Sequence, residues 1–284
     1  MKQDGRNLSV IPSNIVMHHS RSDHFTMPSY HWHNGYEIYL FLAGNIKHSV
    51  EQHCVYPKRG CLCAIRPAEL HRSEVLDTTP YERISIEIRG QYLDELCRSS
   101  ADLKACFLNR PLGINCHVQL CEKDIQTFTD LSHKLLDSLK SREDGQDTLT
   151  KAVLLELLIL TNSCFRNPDH IRSGSAIPAP VLETMQYINE HLTENLTLQT
   201  VGHAIHYDPG YVSRKFHDIT GLPVSMYITY KRILNARKLL LEGAEPKLAA
   251  IYSGFRDYSV FYRSFVRLVG QSPSAFLSEN KHIT

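Results

Sequence analysis

The sequence predicts an α+β protein: an N-terminal β-barrel of the jelly-roll type with an α-helical hairpin, then an all-α domain of two helix-turn-helix modules joined by a helix. β-rich runs bounded by turn residues occupy residues 24–90. Apolar residues at helical spacing follow in residues 125–160, and a repeated helical unit fills the C-terminal part of the chain. These three patterns predict a sheet domain, a helical hairpin and a tandem helical domain, in that order.

The composition is typical of a globular protein of two domains. The chain has 284 residues, of which 42% are hydrophobic and 21% charged, and this balance excludes a mainly disordered chain. The 31 Lys+Arg nearly match the 30 Asp+Glu, so the net charge of +1 indicates no particular partner. The longest apolar stretch, residues 152–160, is shorter than the ~20 residues that a membrane span needs, and the polar N-terminus shows no secretory signal. We therefore expect a cytoplasmic protein with no membrane partner.

The first domain, residues 1–110, is expected to be a small barrel. Residues 37–42 are rich in β-forming side chains and end at an Ala-Gly-Asn turn. Residues 61–65 follow a glycine and end before a proline, and residues 83–89 alternate apolar and polar side chains as a half-buried strand does. Short strands at this spacing are typical of a small barrel or jelly roll.

A constellation of histidines lies within this barrel. On a strand, His31 and His33 project to the same side, and Glu37 follows on the same stretch. If a later strand brings His71 opposite them, these four side chains form a candidate site for Zn²⁺, Fe²⁺ or Mn²⁺. Their order resembles the cupin pattern HxH(x)3E(x)6G followed by Gly, Pro and His. Phe25 stands where metal-binding cupins have a glycine.

The second part of the cupin-like motif, residues 60–71, is shorter after its proline than in cupin enzymes and resembles the sensory cupins of bacterial transcription regulators. In those proteins the same histidines often shape an effector pocket without holding a metal. Three roles therefore stay open for the histidines: a metal site, an effector pocket and structural hydrogen bonding. The candidate effector-binding residues combine aromatic walls with directed polar groups and are His31, Trp32, His33, Tyr36, Glu37, Tyr39, Arg66 and His71.

The eight cysteines contain no CxxC pair and no spacing typical of a zinc site. We expect reduced, mostly buried thiols and no resident cofactor apart from the possible divalent metal. Cys61 and Cys63 alternate on one face of an expected strand, which leaves a redox or metal role open for that pair.

Residues 111–166 are expected to form an antiparallel pair of helices. Apolar residues recur at three- and four-residue steps before and after a polar turn at residues 141–145. The second helix is apolar on more of its circumference than one packed face requires. It either covers the barrel or also pairs with a copy of itself, and a homodimer through helices in residues 121–166 is the expectation. Residues 167–180 are rich in Pro, Gly and Ser and are expected to be a linker.

The C-terminal domain, residues 181–284, contains an internal repeat. Residues 214–227 align with residues 263–276 at a constant offset of 49 residues, and Asp208 and Asp257 fit the same offset. The domain carries 11 Lys+Arg against 9 Asp+Glu, a net charge of +2, whereas residues 1–180 carry a net charge of −1. Such a repeat predicts two similar helical modules side by side.

Each repeat is expected to be a helix-turn-helix module. Asp208 and Asp257 are expected to cap the second helix of their modules, and Gly221 ends the first of these helices. Small residues in the short first helices allow a crossing helix to approach. The expected helices are residues 198–205 and 209–220 in the first module, 246–252 and 258–269 in the second, and 222–241 between them.

Residues 231–240, Gly254-Phe255, residues 262–265 and residues 270–274 resemble the AraC/XylS signature in order and spacing. The resemblance implies a DNA-binding transcription regulator, of the activator type in many relatives, with one recognition helix per module entering successive major grooves about 34 Å apart. It also implies double-stranded DNA, a small-molecule effector such as a sugar or related metabolite, and RNA polymerase as partners. No enzymatic activity is expected.

Carried over by position, the residues facing bases are Gly210, Ser213 and Arg214 in the first module and Tyr258, Ser259, Tyr262 and Arg263 in the second. The expected phosphate contacts are Lys215, Arg232, Lys238 and Arg267. Gly210 stands where relatives often place a larger base-reading side chain. Pro246 and Ala249 stand where aliphatic core residues are common, so the second module is expected to contribute less.

Two other functions stay open. A metal-dependent cupin enzyme, or a metal sensor, fused to a DNA-binding domain would use His31, His33, Glu37 and His71. A pure protein-interaction module would use the helix-turn-helix units to bind a partner protein. Loss of DNA binding on substitution of Arg214 and Arg263 separates the regulator from the interaction module.

Overall fold

The structure is a computed structural model that describes residues 8–9, 13–25, 27, 29–67, 69–98, 101–141, 143–167, 171 and 175–280. The chain forms two compact units. The N-terminal unit consists of Trp32–Ser175 together with the preceding residues 11–27. The C-terminal unit consists of Ala176–Thr284 together with short segments from the beginning of the chain, one of which includes His31.

The strands are β1 (Leu8–Ser9), β2 (Ile15–Ser22), β3 (Trp32–His33), β4 (Gly35–Ala43), β5 (Ile46–Val50), β6 (His53–Val55), β7 (Cys61–Ile65), β8 (His71–Val75), β9 (Tyr81–Arg89), β10 (His117–Gln119) and β11 (Ser175–Ala176). The helices are α1 (Gly90–Leu96), α2 (Ala105–Leu108), α3 (Glu122–Lys140), α4 (Gln146–Arg166), α5 (Ala179–Glu190), α6 (Leu198–Ala204), α7 (Pro209–Thr220), α8 (Val224–Leu241), α9 (Pro246–Tyr252), α10 (Tyr258–Val269) and α11 (Pro273–Asn280).

Two antiparallel sheets form the barrel of the N-terminal unit. The larger sheet has the strand order β10-β7-β4-β9-β2. In the smaller sheet β5 pairs with both β6 and β8, and Val50 lies opposite His71. In the larger sheet His117 lies opposite Cys63, and Glu37 lies opposite Glu87 on the neighbouring strand. These registers bring residues that are distant in sequence to neighbouring positions.

Successive side chains along β4 and β7 point to opposite faces of the sheet and so belong to two different hydrophobic cores. Every second residue of β4, including Tyr36, packs in a large core together with α3 and α4. The residues between them, including Tyr39, pack in a smaller core between the two sheets. Cys61 and Cys63 both lie in this smaller core, so the predicted shared face of their strand is confirmed. The inside of the barrel is therefore the side of β4 that carries Glu37 and Tyr39.

Helices α3 and α4 form the predicted antiparallel hairpin and complete the larger core. Gly145, with φ of 81°, begins α4 after the turn, a backbone conformation that glycine adopts at low cost. Among the described residues, α4 is the helix long and apolar enough to cross a membrane by length and composition. Its residues Val153, Leu154, Leu157 and Leu158 are buried in the core, which is the role of a core helix.

A buried ion pair fixes the loops at one end of the barrel. The Arg110 guanidinium donates to both carboxylate oxygens of Glu69, at 2.7 and 2.6 Å, and also to the Ala64 carbonyl. The backbone N–H of Gly113 donates to the same carboxylate. Because every Glu69 oxygen has a partner, the desolvation of this carboxylate is offset by charge-assisted hydrogen bonds.

The C-terminal unit is all helical, and its helix ends follow local sequence signals. Asp208 and Asp257 accept backbone N–H groups at the beginnings of α7 and α10, as capping residues do. Gly221 and Gly270 end the same two helices in the left-handed conformation, with φ of 71° and 83°. α8 packs against α7, α9, α10 and α11 and so joins the two modules.

The fold class predicted from the sequence is confirmed, and the helices of both modules agree with the expected ranges to within two residues. α1 follows β9 directly and ends at Leu96. Most of the expected linker, residues 168–170 and 172–174, lies outside the described residues.

Candidate functional site

The structure brings together three of the four predicted metal ligands at the barrel interior. His33 Nε2 lies 2.8 Å from Glu37 Oε2, and His71 Nε2 lies 3.2 Å from the same oxygen. The two imidazole rings meet edge to face with centroids 5.1 Å apart. All three side chains are buried. We call these residues the His33–Glu37–His71 cluster.

Backbone carbonyls fix the ring orientation of both histidines. His33 Nδ1 donates to the Gly35 carbonyl at 3.0 Å, and His71 Nδ1 donates to the Glu69 carbonyl at 2.9 Å. A carbonyl oxygen only accepts, so each Nδ1 carries a proton and each Nε2 faces Glu37. When the rings are protonated at Nε2 they donate to the carboxylate; when they are neutral, two nitrogen lone pairs and a carboxylate oxygen converge.

The electrostatics of the cluster favour the charged forms of His33 and Glu37. Burial alone would lower the pKa of His33, but the hydrogen bond to Glu37 and its charge raise that pKa above 6.5. Burial also disfavours ionised Glu37, yet hydrogen bonds from His33 and His71 hold its pKa well below 4.5. Glu87, next to Glu37 in the sheet, has a raised pKa because of burial first and the Glu37 charge second. The cluster thus presents polar groups of both signs inside an apolar barrel.

This arrangement suits two kinds of chemistry. Directed donors and acceptors at the wall of an apolar barrel are typical of sites that orient a small polar ligand. Two imidazole nitrogens and one carboxylate also form a three-ligand set for a divalent metal, and the Nδ1–carbonyl hydrogen bonds are the outer-shell contacts such ligands usually have. The residues present therefore fit a divalent metal.

Other predicted effector residues lie elsewhere. His31 is not among the residues whose ligand atoms converge in the cluster, and it precedes β3. Tyr36 packs on Phe107 in the large core, on the opposite face of β4 from Glu37. We therefore remove His31 and Tyr36 from the candidate pocket.

Of the remaining predicted effector residues, one lies in the barrel interior. Tyr39 lies in the inner core, and its hydroxyl is 2.8 Å from the Tyr81 hydroxyl. Trp32 is buried. Arg66 is half-buried, with Nε 3.6 Å from Glu69 Oε1.

A second buried group of polar side chains, which no sequence motif predicts, lies in the same barrel. Ligand atoms of His48, Cys63 and His117 all lie within 4.8 Å of one another, and all three residues are buried. Only Cys63 carried a sequence signal, through its alternation with Cys61. No short motif links His48 and His117, since β5 and β10 meet only in the folded barrel.

Helix α7 presents the predicted base-facing residues of the first module. Val212 and Phe216 are buried on its inner side, whereas Arg214 is exposed and Ser213 and Lys215 are half-buried. A Cβ at Gly210 would lie 3.6 Å from Arg214 Nη1, so the guanidinium extends over the surface that Gly210 leaves open. Tyr211 is also exposed and stacks on Tyr207, an aromatic pair outside the set of predicted base-facing residues.

Helix α10 repeats this arrangement in the second module. Phe261 and Phe265 are buried, and Tyr258, Ser259, Tyr262 and Arg263 are all exposed. Arg267 is exposed one turn further along the helix, near the Met226 sulfur. Both helices therefore bury an apolar stripe and expose a face with one arginine at the same position of the repeat.

Arg232, expected to contact phosphate, has a different environment. Its Nε donates to the Leu192 carbonyl at 3.0 Å, and its Nη2 donates to the Glu194 carbonyl at 2.7 Å. Burial lowers its pKa. These contacts connect α8 with the loop that follows α5. We therefore assign Arg232 a structural role in the packing of the C-terminal unit. Lys238, by contrast, is largely exposed and lies 3.8 Å from Glu242.

Two family models match the chain. A model described as an AraC-like ligand binding domain matches residues 13–158, which is about half of the chain. A model described as a helix-turn-helix domain matches residues 201–279.

Individual relatives and solved structures are similar to parts of the chain. The HTH-type transcriptional regulator YisR of Bacillus subtilis is 30% identical over 144 residues, which cover 49% of this chain and 47% of that relative. The melibiose operon regulatory protein of Escherichia coli is 31% identical over 107 residues, covering 37% of this chain and 35% of that protein. The chain thus spans about half the length, or less, of these curated relatives.

Among solved structures, ToxT of Vibrio cholerae covers 94% of this chain and 97% of its own, with 14% identity and a TM-score of 0.40. The C-terminal domain of AraT, a response regulator from Geobacillus stearothermophilus, covers 37% of this chain and 88% of its own, with 26% identity and a TM-score of 0.36.

Proposed function

Because the chain belongs to the AraC family of transcriptional regulators, we propose that it is a sequence-specific DNA-binding regulator, not an enzyme, that responds to a small-molecule effector. It acts on double-stranded DNA in the cytoplasm. The repeated exposed face of α7 and α10 carries this proposal: each helix has an aspartate cap, a buried apolar stripe and an exposed arginine at the same position of the repeat.

The two arginines supply the specific part of DNA binding. An arginine side chain donates two hydrogen bonds to guanine in the major groove, and each such pair contributes roughly 1–3 kcal/mol of discrimination. The net charge of residues 181–284 is only +2, so counterion release contributes modestly. Affinity then depends on base contacts and on phosphate contacts from Lys215, Lys238 and Arg267.

The experiment selects DNA from a randomised double-stranded pool with the wild-type protein and measures binding of the selected sequence. The Arg214→Ala, Arg263→Ala double variant is expected to lose at least tenfold in affinity, since even 1.4 kcal/mol corresponds to tenfold. Lys123→Ala, which removes an exposed cation from α3, is the control and leaves affinity unchanged. Equal affinity of the double variant and wild type refutes the proposal and favours the protein-interaction module.

The effector is proposed to bind inside the barrel against the His33–Glu37–His71 cluster. Buried donors and acceptors inside the barrel suit a polar metabolite such as a sugar derivative. The name of the melibiose operon regulatory protein is in keeping with this choice. Effector binding then changes how the DNA-binding units of a dimer are presented to their sites and to RNA polymerase.

The dimer is proposed to form through α4. Leu149, Ala152 and Ile159 are exposed on the side of this helix opposite its buried core residues, and Glu156 lies among them. Leu149 and Ile159 are 38% and 54% exposed. Burial of this stripe against a second copy gives the two DNA-binding units a common support.

A second candidate function follows from the metal-ligand geometry of the same cluster. A divalent metal held by His33, Glu37 and His71 would make the chain a metal sensor, or a metal-dependent enzyme, with a DNA-binding unit. Elemental analysis of purified wild-type and Glu37→Gln proteins tests it. Metal that is present in wild type and lost in Glu37→Gln favours this candidate, and equal metal content in both proteins removes it.

A further inference from the structure

The second group of buried ligands, His48, Cys63 and His117, has a donor set unlike that of the effector cluster. Their side chains are 0–2% exposed, and their ligand atoms lie within 4.8 Å of one another. The group contains two imidazoles and a thiol but no carboxylate. It shares no residue with the His33–Glu37–His71 cluster, although both lie in the same barrel.

The strand pairing brings these three residues together. His117 on β10 is the direct cross-strand partner of Cys63 on β7. His48 comes from β5 in the other sheet, and its Nδ1 lies 2.8 Å from His117 Nε2. The ring of His48 stacks on Tyr39 with centroids 4.6 Å apart, which limits its rotation. A ligand bound by all three residues would connect the two sheets across the barrel.

A second thiol lies beside this group. Cys116 Sγ is 3.3 Å from His117 Nδ1 and donates to the Gly113 carbonyl at 3.6 Å. Cys116 thus faces the other ring nitrogen of His117, and the ligand atoms that converge are those of His48, Cys63 and His117. Structural zinc sites are tetrahedral and combine cysteine and histidine ligands in this way.

The chemistry of the donors decides which ion fits. Mg²⁺ and Ca²⁺ require oxygen ligands, which this group does not offer. Imidazole nitrogen together with thiolate favours Zn²⁺ or Cu⁺. Zn²⁺ has no geometric preference of its own and accepts tetrahedral sites closed to solvent, which suits side chains buried between two sheets.

We propose that His48, Cys63 and His117 form a buried Zn²⁺ site that connects the two sheets of the sensor barrel. Because the ligands come from three strands that meet only in the folded barrel, Zn²⁺ binds the folded state and stabilises it. The site is separate from the effector cluster and from the DNA-binding helices, so its presence does not depend on either.

The test uses Co²⁺ as a spectroscopic probe for the full-length, reduced, chelator-stripped protein. Cys121, the exposed cysteine, is replaced by serine in every protein used, so that it cannot supply a surface thiolate. A thiolate-to-cobalt charge-transfer band with intense tetrahedral visible bands is expected in this parent protein, and Zn²⁺ is expected to abolish it by displacement. The His33–Glu37–His71 cluster contains no sulfur and cannot produce that band.

Three variants locate the ion. Cys63→Ala is expected to lose the charge-transfer band and to bind Zn²⁺ roughly tenfold or more weakly. Substitution of a residue that only hydrogen-bonds to a metal ligand already reduces metal affinity by about tenfold or more. Cys61→Ala, on the same face of the same strand, and Glu37→Gln, in the other cluster, are the controls and keep the band. A band that persists in Cys63→Ala, or that disappears in Cys61→Ala, overturns the assignment.

A measurement on the parent protein covers the case in which Cys63→Ala does not fold. Its thermal unfolding temperature is expected to rise with Zn²⁺ relative to chelator and to rise equally in the Glu37→Gln variant. A parent protein that shows neither the cobalt band nor a Zn²⁺-dependent unfolding temperature overturns the proposal. Selective binding of Cu⁺ under anaerobic reduction, with no uptake of Zn²⁺, overturns the choice of zinc.

Discussion

Arg214 and Arg263 occupy the same position in two helices whose beginnings and ends are built alike. Arg214 follows the Asp208 cap in α7 at the same distance at which Arg263 follows the Asp257 cap in α10, and a glycine in the left-handed conformation ends each helix. Both arginines are exposed. The repeat thus presents one guanidinium per module on faces of equivalent construction.

The first prediction concerns the capping aspartate of α7. Asp208→Ala removes the acceptor for the Tyr211 N–H, which lies 2.8 Å from Asp208 Oδ1, and is expected to destabilise the C-terminal unit by about 1 kcal/mol. Chemical denaturation followed by circular dichroism measures the change. Asp208→Asn retains an acceptor and is the matched control. Equal destabilisation by both substitutions would show that the cap is not the cause.

Two glycines with similar backbone conformations give the second prediction. Gly243 and Gly254 have φ of 91° and 88°, so alanine at either is expected to cost about 1–2 kcal/mol in backbone strain. A Cβ at Gly243 would meet nothing within 4 Å, whereas at Gly254 it would lie 2.5 Å from the Leu192 carbonyl oxygen. Gly254→Ala is therefore expected to cost roughly 3 kcal/mol or more.

The measurement for these glycines is the free energy of unfolding from denaturant titration of both variants. The difference between the two variants isolates the steric contact from the backbone strain that they share. Similar losses for Gly243→Ala and Gly254→Ala would contradict the close packing of α8 and α9 against the loop at Leu192.

The buried ion pair gives the third prediction. Glu69→Ala leaves the Arg110 guanidinium buried without its carboxylate and is expected to cost roughly 3–5 kcal/mol in stability of the N-terminal unit. The double variant Glu69→Met, Arg110→Met removes both charges and is expected to recover most of that loss. Denaturant titration of the single and double variants checks the prediction. It fails if the double variant is as unstable as the single one.

The fourth prediction concerns pH in chelator-treated protein. The pKa of His33 is raised, so its contribution to stability is present below its ordinary value of 6.5 and is lost as the pH rises through the folded-state pKa. The pKa of Glu37 is lowered, so its contribution is present above 4.5 and is lost as the pH falls through the folded-state pKa.

Stability of the N-terminal unit is therefore expected to be greatest in the mildly acidic range between these limits. Thermal unfolding across pH measures it, and Glu37→Gln is expected to flatten the profile on both sides. His24→Gln, which changes an exposed histidine outside the cluster, is the control and is expected to retain the parent profile. An unchanged profile in Glu37→Gln would show that the cluster does not titrate as a unit.

The fifth prediction tests the dimer stripe of α4. Ile159→Asp places a charge on the exposed apolar face and is expected to shift the protein toward monomer by at least tenfold in the dissociation constant, as sedimentation velocity measures. Leu76→Asp, at a side chain that is 45% exposed in a loop, is the control and leaves the assembly unchanged. A dimer that tolerates Ile159→Asp would exclude this stripe as the interface.

The sequence predicted the C-terminal unit nearly to the residue because its signals are local. Asp208, Pro209 and Gly221 define the ends of α7 through contacts within a few residues. The barrel interior depends on pairing between distant strands. Glu37 and His71 matched a spaced motif, but His48 and His117 belong to no motif and meet only through the sheet register.

Two errors in the predicted site have the same origin. Alternation predicts that residues two apart on a strand share a face, but it does not show where a strand begins or which face is the interior. His31 precedes β3 and lies outside the cluster, and Tyr36 faces the helices.

Arg232 looked like a surface cation because the sequence does not reveal that its donors reach the Leu192 and Glu194 carbonyls.

In the proposed binding mode, α7 and α10 read two neighbouring major grooves of one DNA site. Guanine protection from methylation on the selected DNA tests it directly, with wild-type, Arg214→Ala and Arg263→Ala proteins. Two clusters of protected guanines about one helical turn, or ~34 Å, apart are expected, and each substitution is expected to remove one cluster and leave the other. A protection pattern that neither substitution changes would contradict the account.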